Sequence, residues 1–371
     1  MTRLFFSAGE SSGDLHGSHL IEALRELEAG IECEGLGGTR MQAAGMTLHC
    51  DLAGRAIMGF VEVVRSLGFV RRVFTDTVRR LKRSRPDGLV VIDYPGFNIR
   101  LAQRAKAMGI PVIYYISPQV WAWKKGRIHT LAKVVEKMLV ILPFEKAIYD
   151  EIGLDCTYVG HPLLDHLASI DVKDTYTGGL VVGVMPGSRA QEIKRILGVM
   201  LEVARGIQER YPEARFVTPC VDQERAAQVR ALAGDFPLEV VPGGMYEVLK
   251  GARFSLVASG TATVETALFE VPMVVLYKVA APSYWLARLL VDVDAIAMVN
   301  ILAGKPIVPE YIQGEATAEN ILPAALELMD ESPARETMIQ GLKSIRQKLS
   351  GGASENAARE ILAVIKGRND A

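Results

Sequence analysis

Three stretches of this 371-residue chain place reactive residue types where a fold could use them. VVIDYPGFN (90–98) sets one carboxylate, Asp93, at the end of an apolar run. The run itself has no use for an acid. Facing a cleft, such a carboxylate can take a proton as a general base; bracing the turn at 94–96 is the plainer role. Pro95 would end the strand and Asn98 would cap the helix that follows. MPGSR (185–189) and ASGTATVETAL (258–268) each follow an apolar run and open a helical pattern. A helix start offers unpaired N–H groups and the positive end of the peptide dipole, both suited to phosphate. In the first turn Gly187 lets the backbone come close, Ser188 caps or donates, and the Arg189 fork matches phosphate oxygens. A capped helix with a surface arginine explains that stretch equally well. In the second turn Ser259, Gly260 and Thr261 supply hydroxyls and N–H groups. Glu265, one turn on, has the reach for ribose hydroxyls. A capping box is the alternative there, but the residue three after Thr261 is Val264. Together the two turns suggest a nucleoside diphosphate at the carboxyl ends of parallel strands.

A fourth stretch, SAGESSGDLHG (7–17), has the glycine and serine content of a phosphate cradle, with Ser11, Ser12, Gly13 and Asp14 as candidate contacts. It lacks GxGxxG, and the chain has no GxxxxGK[ST], so hydride transfer and ATP hydrolysis lose ground. SPQVWAWKKGR (117–127) sets two tryptophans beside a basic patch, more readily a plug at a sheet edge than a ligand site. Asp292-Val293-Asp294 matches a metal-binding DxD, but so short a triplet arises by chance. The six histidines form no metal-ligand pattern. His16 and His161 stand in glycine-containing turns, where structural hydrogen bonding is the expected role. The reading therefore carries no metal and no cofactor.

The elements that must hold these turns show a repeating rhythm: a short Val/Ile/Leu run, a Gly- or Pro-marked turn, then helical periodicity. Strands are expected at 4–8, 88–92, 112–116 and 137–142, and again at 180–185, 216–218, 238–241, 254–258 and 273–276. Continuous apolar runs of this kind suit strands buried on both faces, as in a parallel sheet with helices on each side. The fold class is α/β, two doubly wound Rossmann-like halves. The expected division is an N-terminal domain at 1–165, a linker at 166–179, a second domain at 180–340 and C-terminal helices at 341–371. Hydrophobic residues make up 49% of the chain, enough for sizeable cores, and the net charge of −1 offers no global field for nucleic acid. Four scattered cysteines fit a reducing compartment. No run suits a leader or a membrane span. One region departs from the balance. Between residues 57 and 83 Val61, Val64, Leu67, Val70 and Phe74 recur at helical spacing among Arg65, Arg71, Arg72 and Arg79. An amphipathic element lying on anionic lipid would look like this. A core-facing helix with a solvated basic face is the commoner case.

Taken in order, AGESSGD, GTRMQAAGM, IMGFVEVV, DYPGFN, YISPQVWAWKKGR, LPFEKAIYDE, VGHPLLD, PGSRAQEI, ASGTATVETAL and NILAGKPIVPEYIQ span nearly the whole chain. In these stretches the chain resembles the lipid-A-disaccharide synthases, glycosyltransferases of lipid A assembly. The resemblance implies a GT-B fold, two Rossmann-like domains facing across a cleft, with the donor nucleotide on the C-terminal one and the helices at 341–371 packing back on the first. It implies inverting transfer from UDP-2,3-diacylglucosamine to the 6-hydroxyl of 2,3-diacylglucosamine 1-phosphate (lipid X), giving UDP and a β-1′,6-linked disaccharide 1-phosphate. Asp93 becomes the base. Ser188, Arg189, Glu265 and Asn300 fall on the UDP side, and the 7–17 stretch on the acceptor side. It further implies a peripheral enzyme on the cytoplasmic face of the inner membrane, with Val61, Val64, Leu67, Arg71 and Arg72 as membrane contacts. The oligomeric state stays open, a homodimer included. Gly96 departs from the pattern, since the resemblance leads one to expect an acid there; Asp93 is left as the only carboxylate of that turn, against any two-acid scheme. A UDP-N-acetylglucosamine 2-epimerase-like enzyme on the same kind of fold is the rival reading, and a non-catalytic nucleotide-sugar binder the third.

Overall fold

The computed structural model describes residues 1–54, 60–119, 126–176, 178–280 and 295–369, the side chains of 60–67 and 369 excepted. The chain forms two compact units, Met1–Ser169 with Leu349–Ala371, and Ile170–Lys348.

The first unit holds β1 (Arg3–Ala8), β2 (Glu32–Gly37), β3 (Thr47–Asp51), β4 (Gly88–Ile92), β5 (Val112–Tyr115), β6 (Lys137–Val140) and β7 (Cys156–Tyr158). They pair in parallel in the order β3-β2-β1-β4-β5-β6-β7. Successive strand residues go to opposite faces. Phe5, Leu89, Val91, Val112 and Tyr114 enter one core, together with Leu101 and Ala105 of α4 (Pro95–Ala107). Phe6, Val90, Ile92, Ile113 and Tyr115 enter the other, with Leu20, Ile21 and Leu24 of α1 (Ser11–Leu27). Both faces are dry, which is why these strands are written as unbroken apolar runs.

The second unit repeats the plan with β8 (Val181–Met185), β9 (Arg215–Cys220), β10 (Leu238–Pro242), β11 (Ala252–Ala258), β12 (Met273–Tyr277) and β13 (Glu310–Ile312). Their order is β10-β9-β8-β11-β12-β13, again all parallel. Each sheet therefore reverses its direction of winding once, between β1 and β4 and between β8 and β11. Doubly wound sheets bind their ligands outside the strand ends at such a point. The turns after these four strands are the four stretches singled out above.

Several boundaries differ from the sequence reading. Strands β2, β3, β7 and β13 carry no clear apolar run, and β2 (ECEGLG) has two glycines and two glutamates. Residues 166–169 belong to α7 (Pro162–Ser169) rather than to a linker. The segment beyond is held to the second unit: Tyr176 is buried and donates to Glu239, and Lys250 Nζ donates to the Val172 carbonyl. Residues 341–348 remain with the second unit as the end of a helix over Pro333–Lys348. Only from Leu349 does the chain return to the first unit.

That return completes a core. Ala357, Ala358, Ile361, Leu362 and Ile365 of the tail helix Ala353–Asn369 are buried with Leu4, Leu20, Leu24 and Ile113. Its start is fixed by Asp165, whose carboxylate accepts from the Gly352 and Ser354 N–H groups. Burying the three large aliphatic side chains is worth about 5–9 kcal/mol, set against about 5–15 kcal/mol for a whole domain. A chain ending at Gly352 is therefore expected to lose cooperative unfolding of the first unit and to bind an apolar dye, while the second unit keeps its own transition in calorimetry.

Candidate active site

At the switch point of the first sheet, β4 ends in a strained turn. Asp93 and Tyr94 both sit in the left-handed region, at φ +42° and +49°. Non-glycine residues adopt this conformation at a cost and need their surroundings to enforce it. Asn98 does the enforcing. Fully buried, its amide accepts from Ser7 Oγ (2.7 Å) and donates toward the carbonyls of Ser7, Ile92 and Asp93 (3.1, 3.1 and 2.8 Å). The Asp93 carbonyl also accepts from Tyr114 Oη at 2.7 Å. The helix opens at Pro95 with Tyr94 as its N-cap, so Asn98 does not cap it; it ties the ends of β1 and β4 together. With its backbone thus held, the half-buried Asp93 carboxyl is pushed up to about 6, by desolvation first and by the nearby Glu10 charge second. A carboxylate with that affinity for a proton suits a general base near neutral pH.

The 7–17 stretch is mostly helix. Helix α1 starts at Ser11, so Ser11, Ser12, Gly13 and Asp14 form its first turn, with Ser11 and Ser12 exposed. Gly13 lets the helix settle on the sheet, since a Cβ there would lie 3.3 Å from Ala8 Cβ. Asp14 is corrected from an acceptor contact to a structural residue. Its buried carboxylate accepts from the N–H groups of Gly38, Arg40 and Met41 and so caps the short helix Thr39–Ala43. His16 also lies within α1 rather than in a turn. Among the described residues its Nδ1 has no hydrogen-bond partner, and burial pushes its pKa down to about 4.

At the second switch point, Gly187 takes φ +104°, and a Cβ there would meet Glu192 Oε2 at 2.6 Å. Ser188 and Arg189 are exposed at the head of the helix Ala190–Arg210 (α8). The Arg189 guanidinium pairs with Glu192 at 2.9 Å. At such exposure that pair is worth about 0–1 kcal/mol and can be exchanged for a better anion. After β11, Ser259 Oγ donates to the Ile296 carbonyl, while Gly260 and Thr261 are exposed. The helix Ala262–Leu268 (α11) then presents Glu265, whose carboxyl burial pushes up and which accepts from Tyr246 Oη at 3.0 Å.

Asn300 does not offer its side chain to a ligand. It is buried, and its amide is fully engaged: Nδ2 donates to the Val308 carbonyl and to Glu310 Oε1, and Oδ1 accepts from Ile307 and Val308 N–H. Glu310 closes the unit by accepting from Ile296 and Ala297 N–H at 2.8 and 3.1 Å. The pair pins the residues before helix Met298–Ala303 beside Ser259, a supporting role that the spacing of NILAGKPIVPE gave no means to foresee.

Residues 60–84 do form a helix. Val70 and Phe74 pack against the core with Val73 and Leu81, so that part of the apolar stripe is core-facing, the commoner of the two cases. Arg71 and Arg72 are exposed on the other side. The side chains of Val61, Val64 and Leu67, together with Trp121, Trp123, Asp292 and Asp294, lie outside the described residues.

A family model described as lipid-A-disaccharide synthetase matches residues 4–365. A lipid-A-disaccharide synthase of Syntrophus aciditrophicus is 41% identical over 370 residues, covering 97% of each chain. The chain belongs to the lipid-A-disaccharide synthetase family. It is a glycosyltransferase of lipid A biosynthesis. The crystal structure of the glycotransferase of kitacinnamycin superposes with a TM-score of 0.66 at 17% identity, covering 97% of this chain and 98% of that one. A UDP-GlcNAc 2-epimerase of Methanocaldococcus jannaschii, in complex with UDP-GlcNAc and UDP, gives 0.62 at 12% identity over 98% and 100%. These two likenesses establish the GT-B-type fold alone, and the epimerase reading has no support comparable to the synthase relatives.

For this synthetase family member, three residues of the two switch-point turns escaped a reading by motif: Glu10, whose charge acts on Asp93, Tyr246 against Glu265, and Glu310; Asn98 was read as a helix cap and is a latch instead. Only the cluster of polar types around the turns hinted at them. Truncating Asn300 to alanine strands the Ile307 and Val308 N–H groups and the Val308 carbonyl. The expected loss is about 2–4 kcal/mol of second-unit stability in urea unfolding.

Proposed function

We propose that this chain transfers 2,3-diacylglucosamine from its UDP conjugate to the 6-hydroxyl of 2,3-diacylglucosamine 1-phosphate in one inverting displacement. Asp93 is the base. The observation that carries this is a carboxyl raised to about 6 on an enforced left-handed turn at the switch point of the first sheet. Desolvation strengthens the carboxylate as a proton acceptor, and the turn fixes where it stands. Asp93 takes the proton of the acceptor hydroxyl as that oxygen attacks the anomeric carbon of the donor, and the bond to the diphosphate breaks. UDP departs toward the second unit. There Arg189 exchanges its Glu192 partner for phosphate oxygens, and the turns at Ser188 and at Gly260–Thr261 supply hydroxyl and N–H donors, Ser259 being engaged with Ile296 and Leu276. Such donors are already in place when charge develops on the leaving group. Glu265 accepts from the ribose hydroxyls. Exposed Ser11 and Ser12 face the acceptor sugar or its phosphate.

Release of UDP from UDP-2,3-diacylglucosamine should require the acceptor and survive EDTA. Asp93→Asn should lower kcat by about 10²–10⁴-fold with UDP affinity intact; near-normal turnover would remove Asp93 from the role. Because the base works ionised, kcat/KM should fall as pH drops through about 6. Glu10→Gln should move that limb toward acid, since the Glu10 charge helps hold the proton on Asp93.

We further propose that the enzyme works at the cytoplasmic surface of the inner membrane, docked through the basic side of the helix Phe60–Ser84. Among the described residues no helix is long and apolar enough to cross a membrane. Arg71, Arg72, Arg79, Lys82 and Arg83 are exposed along it, while Val73 and Leu81 are buried behind them. Polybasic surfaces gain about 1 kcal/mol per residue near anionic lipid. Binding to phosphatidylglycerol vesicles should weaken with salt and drop at least tenfold in the Arg71→Glu/Arg72→Glu double variant. Equal binding to neutral vesicles would remove the electrostatic part.

A further inference from the structure

Glu265 is held on one side by a residue that none of the nucleotide-type turns contains. Helix Met245–Gly251 (α10) follows β10 through Gly243 and Gly244, both at positive φ. Its second residue, Tyr246, reaches across to α11. Glu265 and Phe269 are four apart, so they share one face of that helix end. Tyr246 lies along this face: its ring stacks on Phe269 at 5.9 Å between centroids and 12° between planes, and its hydroxyl donates to Glu265 Oε1 at 3.0 Å. The stack fixes the ring, and the ring then fixes the hydroxyl. A glutamate side chain has three rotatable torsions, and binding would otherwise have to immobilise them. With Oε1 engaged by a hydroxyl that cannot follow it, the carboxylate arrives already oriented.

We propose that Tyr246 is a positioning residue for ribose recognition, aiming the Glu265 carboxylate at the vicinal hydroxyls of the donor nucleoside. The inference rests on the reading of Glu265 as the ribose acceptor. It makes Tyr246 a determinant of the choice between a ribonucleoside and a deoxyribonucleoside diphosphate, with little part in the chemical step.

The test is calorimetric binding of UDP and of 2′-deoxy- and 3′-deoxy-UDP to the full chain, its Tyr246→Phe variant and its Glu265→Ala variant. Tyr246→Phe keeps the stacked ring and removes only the hydroxyl; thermal unfolding checks that each variant is folded. The unaltered chain should prefer UDP to at least one deoxy analogue by about tenfold or more, the scale of a hydrogen bond to a charged group. Glu265→Ala should erase that preference. Tyr246→Phe should reduce it about threefold or more through weaker UDP binding, with affinity for the deoxy analogue within twofold. If Tyr246→Phe keeps the full preference while Glu265→Ala loses it, Tyr246 has no part and the inference falls alone. If it weakens UDP and the deoxy analogues equally, the hydroxyl serves the fold of the site, and the inference falls again. If the unaltered chain and Glu265→Ala show the same preference, the ribose reading of Glu265 fails and takes the inference with it.

Discussion

A parallel sheet that reverses its winding leaves two neighbouring strand ends with no connection passing over them. This chain meets that constraint twice, between β1 and β4 and between β8 and β11. The last backbone groups of those strands must find partners or remain open to a ligand. In the first sheet the buried Asn98 amide joins Ser7, Ile92 and Asp93, and the strained turn carrying Asp93 becomes the state of lowest energy. One side chain thus links sheet geometry to the placement of the candidate base.

The second sheet uses a different device. Asn300 and Glu310 form a polar clamp of the backbone beside Ser259, built from a carboxylate and an amide whose oxygens and nitrogen satisfy buried N–H and carbonyl groups. Buried polar networks of this kind are stabilising only when complete, and the loss of one member leaves several groups stranded. The exposed atoms of the turns, the Ser188 hydroxyl and the Arg189 guanidinium, are by contrast held loosely by the protein. The division is physical: groups that must keep a shape are saturated from within, and groups that must meet a charged ligand are left facing solvent.

The same division separates Asp93 from Asp14. Both are acids in glycine-containing stretches that follow a strand. Asp14 accepts three backbone N–H bonds, its carboxylate fully employed as a helix cap. Asp93 is desolvated instead and stands near a second negative charge, which raises its proton affinity. Composition cannot distinguish a carboxylate saturated by N–H donors from one in which desolvation outweighs a single N–H contact from its neighbour Tyr94, because the donors to Asp14 come from a segment more than twenty residues away.

The parallel α/β plan was legible in the chain itself. Strands dry on both faces require unbroken apolar runs, as at 88–92 and 181–185, and each run ends in residues unsuited to a strand. The family was legible too, through the order of its motifs. Short strands without apolar runs were not, because β2 gains its place from pairing with β1 rather than from its own side chains. The residue at which the tail returns to the first unit, which side chains of the Phe60–Ser84 helix beyond residue 68 face the core, and the partners of Asp14, Asn98, Tyr246, Asn300 and Glu310 were decided only by tertiary structure. Periodicity records that a face is apolar but not what covers it, and a polar side chain's role is set by distant backbone groups that no local spacing encodes.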